Sequence, residues 1–299
     1  MTSNTSPPTN RPTLAQRLAE SRVVIMDGAT GTELERRGAP VALPLWSAHA
    51  LVTAPDLVRS IHAEYVRAGA ELLVANTFRT HRRSLAHGGL PERAAALTQL
   101  AVSLARDAAR AAEAVWVLGS AAPLEDCYRP DLAPTTPVLV REHREHAEHL
   151  AAAGVDAILI ETMNNVAESV AALRAARDVA LPALVSFVCW DGARLLSGEP
   201  LSAAIAAALP YAPAAVLVNC LPPSNVDACL PALRASGLRF GVYPNLGTPD
   251  EPMGQLRSEA CSPAEFAEIV SGWRGAGIVG GCCGTRPDHI RSLAQSLRS

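Results

Sequence analysis

The chain has 299 residues, 49% of them hydrophobic and 18% charged, so it can bury a large core. A net charge of −3 and the lack of any dense basic tract exclude nucleic acid and anionic membrane surfaces as expected partners. Arginine supplies all 26 basic residues, and without a lysine no Schiff-base mechanism is available.

The chain opens on "MTSNTSPPTNRPT", polar and proline-rich, without the apolar centre of a signal peptide. Residues 1–18 are expected to be a disordered tail. The seven cysteines are odd in number and have no secretory context, which points to a reducing cytoplasmic setting without a disulfide framework. Eight short apolar runs follow: "VVIMDG" from Val23, "ELLVANTF" from Glu71, "VWVLGSAA" from Val115, "AILIETM" from Ala157, "ALVSFVCW" from Ala183, "AVLVNCL" from Ala215, "RFGVYPN" from Arg239 and "GIVGGCCG" from Gly277. Most are rich in Val, Ile and Leu with little alternation, as parallel strands covered on both faces require. Alanine- and arginine-rich segments of helical period separate most of them, such as "PERAAALTQLAVSLARDAARAAEA". The most apolar stretch, "LSAAIAAALPYAPAAVLVNCL", is broken by Pro210 and Pro213 and reads as helix, loop and strand rather than a membrane span.

Strand followed by helix, eight times over, predicts a single (β/α)8 TIM barrel spanning residues 19–299. No GxGxxG follows the first strand, against a dinucleotide-binding sheet. Barrel sites sit at the C-terminal ends of the strands. Here those ends carry Asp27-Gly28, Asn76-Thr77, Glu161, Asn219-Cys220, Asn245 and Cys282-Cys283, a polar rim rich in thiols.

Cys127, Cys189, Cys229 and Cys261 read as core or surface thiols, and Cys220 taken alone reads as a small core hydrophobe. Cys282 and Cys283 are adjacent, and in a regular strand their side chains would point apart. Glycines 280, 281 and 284 relax that alternation by permitting dihedrals that other residues avoid. A phosphate-cradling loop is the rival use of such glycines, but it needs no cysteine. The ends of strands six and eight lie two positions apart around a barrel, so Cys220 can meet the pair. Three thiolates suit zinc, with Zn–S near about 2.3 Å and one tetrahedral position vacant for chemistry at sulfur. Spacing alone leaves a metal site and a vicinal redox or structural pair both open.

Taken together, "DGATGTELERRG", "LWSA", "ANTF", "ILIET", "VNC" and "GGCCGTRPDHI" resemble the homocysteine S-methyltransferase family, from about Val23 to the last helix. The resemblance implies a zinc-dependent barrel that transfers a methyl group to the thiol of L-homocysteine, giving L-methionine. It assigns Cys220, Cys282 and Cys283 as ligands of one Zn2+ per chain. It assigns Asp27, Glu161 and the backbone around Gly28 to homocysteine, and Asn219 is placed with them. A glutamate at a buried strand end fits this reading, since a substrate ammonium would give its charge a partner. Trp46 and Phe78 are candidates to face a cationic donor through cation–π attraction. "FVCWDGARLLSGEPL" and "LWSA" look like the members that use S-methylmethionine or S-adenosylmethionine; "ANTF" leans towards other branches, among which betaine is the alternative donor. The folate-using members carry additional domains for which this chain is expected to have no room. A related thiol or selenol acceptor, or a non-catalytic thiol-metal or redox-sensing barrel, is the remaining alternative.

Three further stretches have structural readings. "REHREHAEHL", with His143, His146 and His149, is expected to be a solvated face of an outer helix. Thr285 and Asp288 resemble a capping box, with Pro287 in the first turn and His289 structural. The loop "YPNLGTPDEP" is expected to form a movable rim.

Overall fold

Each of the eight apolar runs forms a strand. A computed structural model of the chain describes residues 11–246, 248–249, 256–257 and 261–298. The strands are β1 (Val24–Ile25), β2 (Leu72–Ala75), β3 (Trp116–Ala121), β4 (Ala157–Met163), β5 (Ala183–Phe187), β6 (Ala215–Asn219), β7 (Phe240–Tyr243) and β8 (Ile278–Val279). All neighbours are parallel, in the order β1-β8-β7-β6-β5-β4-β3-β2. A parallel bridge between Met26 and Leu72 joins β1 to β2 and closes the ring. The fold is a (β/α)8 barrel. A short antiparallel pair, Thr248–Pro249 with Leu256–Arg257, lies between β7 and β8.

The helices follow from local sequence. Pro55–Ala68 begins with proline at its first position and ends at Gly69, whose φ of 106° suits the left-handed C-terminal cap. Between those signals Val58, Ile61, His62, Tyr65 and Val66 are buried at helical spacing, which turns one stripe onto the barrel. Pro263–Gly272 starts in a reciprocal cap between Ser262 and Glu265.

Alternation along the strands divides the core. Val24 and Met26, Trp116 and Leu118, Ala157 and Leu159, and Ala215 and Leu217 pack in one cluster inside the ring, while Val117, Ile158, Ile160, Val216 and Val218 pack outward in the cluster shared with the helices. One more step of that alternation brings Ser120, Glu161 and Asn219 to the upper end of the interior.

The floor departs from expectation. The expected disordered tail of residues 1–18 does not hold over its described end, because Leu14–Ala19 is a helix with Thr13 and Gln16 in a reciprocal cap. Leu14 and Leu18 join the interior cluster. Arg17, 1% exposed, donates through Nε to Glu71 at 2.7 Å and through Nη2 to the Val23 carbonyl at 2.8 Å. Removing one member of a buried ion pair of this kind costs about 3–5 kcal/mol, because the other charge is left buried and unpaired. Periodicity could not reveal a helix this short.

Candidate active site at the barrel mouth

The inner positions of the strands supply the lower wall of the mouth. Glu161 accepts hydrogen bonds from the Ser120 hydroxyl and, at 3.3 Å, from the Tyr243 hydroxyl. Burial first, and then the nearby Cys282 charge, push its carboxyl up to about 8. Asp27, 2% exposed, accepts from the Val74 amide at 2.9 Å, and burial holds its carboxyl well above the usual carboxylate range. Both acids line one cavity with Gly28, Thr30, Gly31, Thr32, Trp46, Phe78, Arg79, Tyr128, Tyr243 and the three cysteines. Two buried acids that pair with no cation among the described residues are a site prepared for a positively charged group.

The sulfurs reach this wall by two local devices. Asn219 occupies an inward position of β6, so the next residue should point outward. Cys220 instead has φ 53°, in the left-handed region that a side chain rarely adopts, and this redirects the chain at the strand end. Its Sγ then lies 2.9 Å from that of Cys282, and the three Sγ atoms of Cys220, Cys282 and Cys283 all lie within 4.8 Å of one another. Thr162, beside Glu161, also has a positive φ, 58°, where the pairing of β4 with β5 slips between Ile160 and Met163. Asn219 braces both bends: its Oδ1 accepts from the Thr162 amide at 3.0 Å and from Ser186 Oγ at 2.7 Å, while Nδ2 donates to Thr162 Oγ1 at 2.8 Å.

The Cys282-Cys283 loop is fixed by its neighbours. The Cys282 amide donates to the Pro244 carbonyl and the Cys283 amide to Asn245 Oδ1, while Thr285 Oγ1 donates to the Cys282 carbonyl and accepts from the Ala29 amide. The glycines act differently from expectation. Only Gly284, φ 85°, uses a left-handed conformation. Gly280 and Gly281 matter for closeness: a Cβ at Gly280 would come 2.6 Å from Met26 Cβ, and one at Gly281 would come 2.4 Å from Thr285.

Electrostatically, the Cys282 thiol is held well below its ordinary range because Cys220 and Cys283 donate hydrogen bonds to it, whereas the thiols of Cys220 and Cys283 are pushed well above theirs. The trio therefore accommodates one negative charge readily and the second and third only beside a cation. That donor set fits a thiophilic metal ion such as zinc. Among the described residues no other group of three or more His, Cys, Asp or Glu side chains could hold a metal.

Several expectations change. Asn219 is fully buried and does not line the cavity; its amide bonds Thr162 and Ser186, and Nδ2 also donates to Cys282 Sγ at 4.0 Å, so it is a positioning residue. Phe78 lines the cavity, but the Arg79 guanidinium already lies over its ring at 5.4 Å. Trp46 lines the cavity and packs so closely on Gly31 that a Cβ there would sit 2.4 Å from its Nε1. His143 and His146 do not face solvent: with Leu139 and Leu150 they form the buried stripe of Thr136–Ala153, His143 meeting Glu168 at 3.1 Å and His146 the Ser120 carbonyl at 3.1 Å. Arg141 and Arg144 take the exposed face. At the last helix His289 Nδ1, rather than Asp288, accepts from the Arg286 amide, and Asp288 pairs with Arg291. Cys127, Cys189 and Cys229 are buried as expected, although Cys127 also lines the cavity. The expected movable rim falls partly outside the described residues, at 247 and 250–252.

Sequence reasoning missed Ser120, Thr162, Tyr243, Tyr128 and Arg79. Inward parity along β3 and β7 would have found Ser120 and Tyr243. Nothing local signals the other three.

Fold and site together define a (β/α)8-barrel protein with a three-thiol centre and two buried acids at the strand C-terminal face. The model of the homocysteine S-methyltransferase family matches residues 24–297, and the chain belongs to that family of methyltransferases. It is 34% identical to the homocysteine S-methyltransferase of Escherichia coli (strain K12), over 92% of this chain and 96% of that one. It is 29% identical to homocysteine S-methyltransferase YbgG of Bacillus subtilis (strain 168), over 93% and 95%, and 29% identical to a selenocysteine methyltransferase of Astragalus bisulcatus, over 93% of each. Among solved structures, the metallated form of the homocysteine methyltransferase MmuM from Escherichia coli superposes with a TM-score of 0.81 at 32% identity, covering 96% of this chain and 99% of that one; the apo form gives 0.72 at 28% identity, covering 93% and 96%.

Proposed function

We propose that the protein transfers a methyl group from a sulfonium donor, S-methylmethionine or S-adenosylmethionine, to the sulfur of L-homocysteine, giving L-methionine, with one zinc ion held by Cys220, Cys282 and Cys283. The observation that carries this reading is the convergence of three thiols and two buried carboxyls on one cavity. Zinc bound there would stabilise the substrate sulfur as a thiolate at neutral pH.

The chain's own residues do the rest. Glu161 and Asp27 receive the homocysteine ammonium, which gives their buried charges a partner and favours their ionised forms. Gly28 lines the cavity, has no room for a side chain, which would meet Thr285 and Tyr65 at 2.7 and 2.8 Å, and borders the amino-acid carboxylate with its backbone. Ser120 and Tyr243 orient Glu161 by donating to its two oxygens. The substrate sulfur then bonds to the donor's methyl carbon as the donor's own sulfur leaves with the old bonding pair. No group need remove a proton from carbon, so positioning supplies most of the acceleration.

Similarity of "FVCWDGARLLSGEPL" and "LWSA" to the sulfonium-using members favours that donor class over betaine. The test is to incubate zinc-loaded protein and L-homocysteine with S-methylmethionine, S-adenosylmethionine or betaine separately and to measure methionine. Product from the sulfonium donors is expected. Zinc-replete protein that forms no methionine from any donor would overturn the reading.

A further inference from the structure

Arg79 lies four positions beyond the end of β2, lines the cavity of the three cysteines, and is 6% exposed. Its Nη1 donates to the Glu125 carbonyl at 2.9 Å and to Ser84 Oγ at 3.4 Å. Its Nε is enclosed without a partner, and Nη2 makes no hydrogen bond among the described residues. Nor does the guanidinium make an ion pair among them. The acids of the loop after β3 are engaged elsewhere: Glu125 pairs with Arg83 at 2.9 Å, and Asp126 Oδ1 accepts from the Tyr128 amide at 2.9 Å.

A guanidinium buried without an anion is costly, and proteins rarely keep one unless a partner arrives. The neighbouring chemistry shows which partner would suit it. Asp27 and Glu161 line the same cavity and already provide for a cationic group, so the missing complement is an anion. The planar fork of arginine matches a carboxylate, and the Phe78 ring 5.4 Å away supports that plane.

We infer that Arg79 binds the carboxylate of the methyl donor, so that the donor lies with its acid end at Arg79 and its onium methyl group towards the three sulfurs. This rests on the methyl-transfer reading and adds a specificity determinant to it. Like charges repel, so the same cation disfavours the reversed pose, in which the onium would sit against the guanidinium. An onium donor without a carboxylate has nothing to offer this position. The homocysteine carboxylate is the other possible source of the same chemistry. In the proposed reading that carboxylate goes to the Gly28 backbone, and the homocysteine arm of the test below distinguishes the two sources.

The test measures binding as well as turnover. Dissociation constants for S-methylmethionine, for the carboxylate-free (3-aminopropyl)dimethylsulfonium ion, which keeps the ammonium and lacks only the carboxylate, and for L-homocysteine are determined by calorimetry on zinc-loaded native protein, Arg79→Gln and Arg79→Lys. Native protein is expected to hold S-methylmethionine about 10- to 100-fold more tightly than the carboxylate-free ion. Arg79→Gln should erase that difference, Arg79→Lys should keep part of it, and homocysteine binding should stay within about 2-fold. Equal donor affinity in native protein and Arg79→Gln would overturn the inference. So would a loss that falls on homocysteine instead, or native protein that binds neither onium. If this binding pattern appears but no methionine forms, the proposed reaction falls and the role of Arg79 stands.

Discussion

Cys220 and Cys282 are 62 positions apart in the chain, yet their Sγ atoms meet at 2.9 Å. The contact depends on two adjacent residues both turning inward, Asn219 at the end of β6 by strand alternation and Cys220 just beyond it by its φ of 53°. Cys220→Ala should therefore lose bound metal without losing the barrel. Elemental analysis is expected to find far less than one zinc per chain, with an unchanged far-ultraviolet circular dichroism spectrum. Retention of full zinc by the variant would remove Cys220 from the centre.

Glu161→Gln separates stability from activity. The carboxyl keeps its proton up to about pH 8 in the folded, metal-free protein, whereas an unfolded glutamate gives it up near 4.5. The folded state thus binds more protons between those values, and stability falls as pH rises through the window. The penalty reaches roughly 3 kcal/mol at pH 7 and is absent below pH 4.5. The metal-free variant should melt higher than the native protein at pH 8 and equally at pH 4, while homocysteine affinity drops about 100-fold. A variant that melts lower at pH 8 would show that burial is not the dominant influence on this acid.

His62 offers a second pH signature of opposite sign. Burial alone lowers its imidazole to about 4, and neither ring nitrogen has a partner. Between pH 6.5 and 4 the unfolded state binds the extra proton, so native stability declines as the solution is acidified. His62→Leu should remove that decline and stabilise the protein by about 2 kcal/mol at pH 5, with little effect at pH 8. Chemical denaturation at both pH values measures it, and an equal change at the two would refute the cause given.

Much of the site was legible because it lies at strand ends. The apolar runs located β1 to β8, a barrel places chemistry where those runs stop, and Asp27, Glu161, Cys220, Cys282 and Cys283 all stand there. His143 and His146 are not legible in this way: the charged "REHREHAEHL" predicts a solvated face, whereas the stripe they share with Leu139 and Leu150 is buried. Arg79 carries no motif. It has no anion beside it among the described residues, which is a property of its surroundings in space.

What the sequence determined by itself was periodic or covalently local: strand and helix alternation, the glycines flanking Cys282-Cys283, and the residue types able to hold a soft cation. The tertiary structure decided which faces met. It turned Cys220 inward against its strand parity, committed Asn219 to bracing Thr162 and Ser186, plugged the floor with Leu14–Ala19, and left Arg79 beside an acid-lined cavity without an anion. The physical reason is that strand and helix patterns depend on neighbours along the chain. Burial, left-handed turns and charge partnership depend on groups brought together from distant strands, and these exist only once the ring has closed.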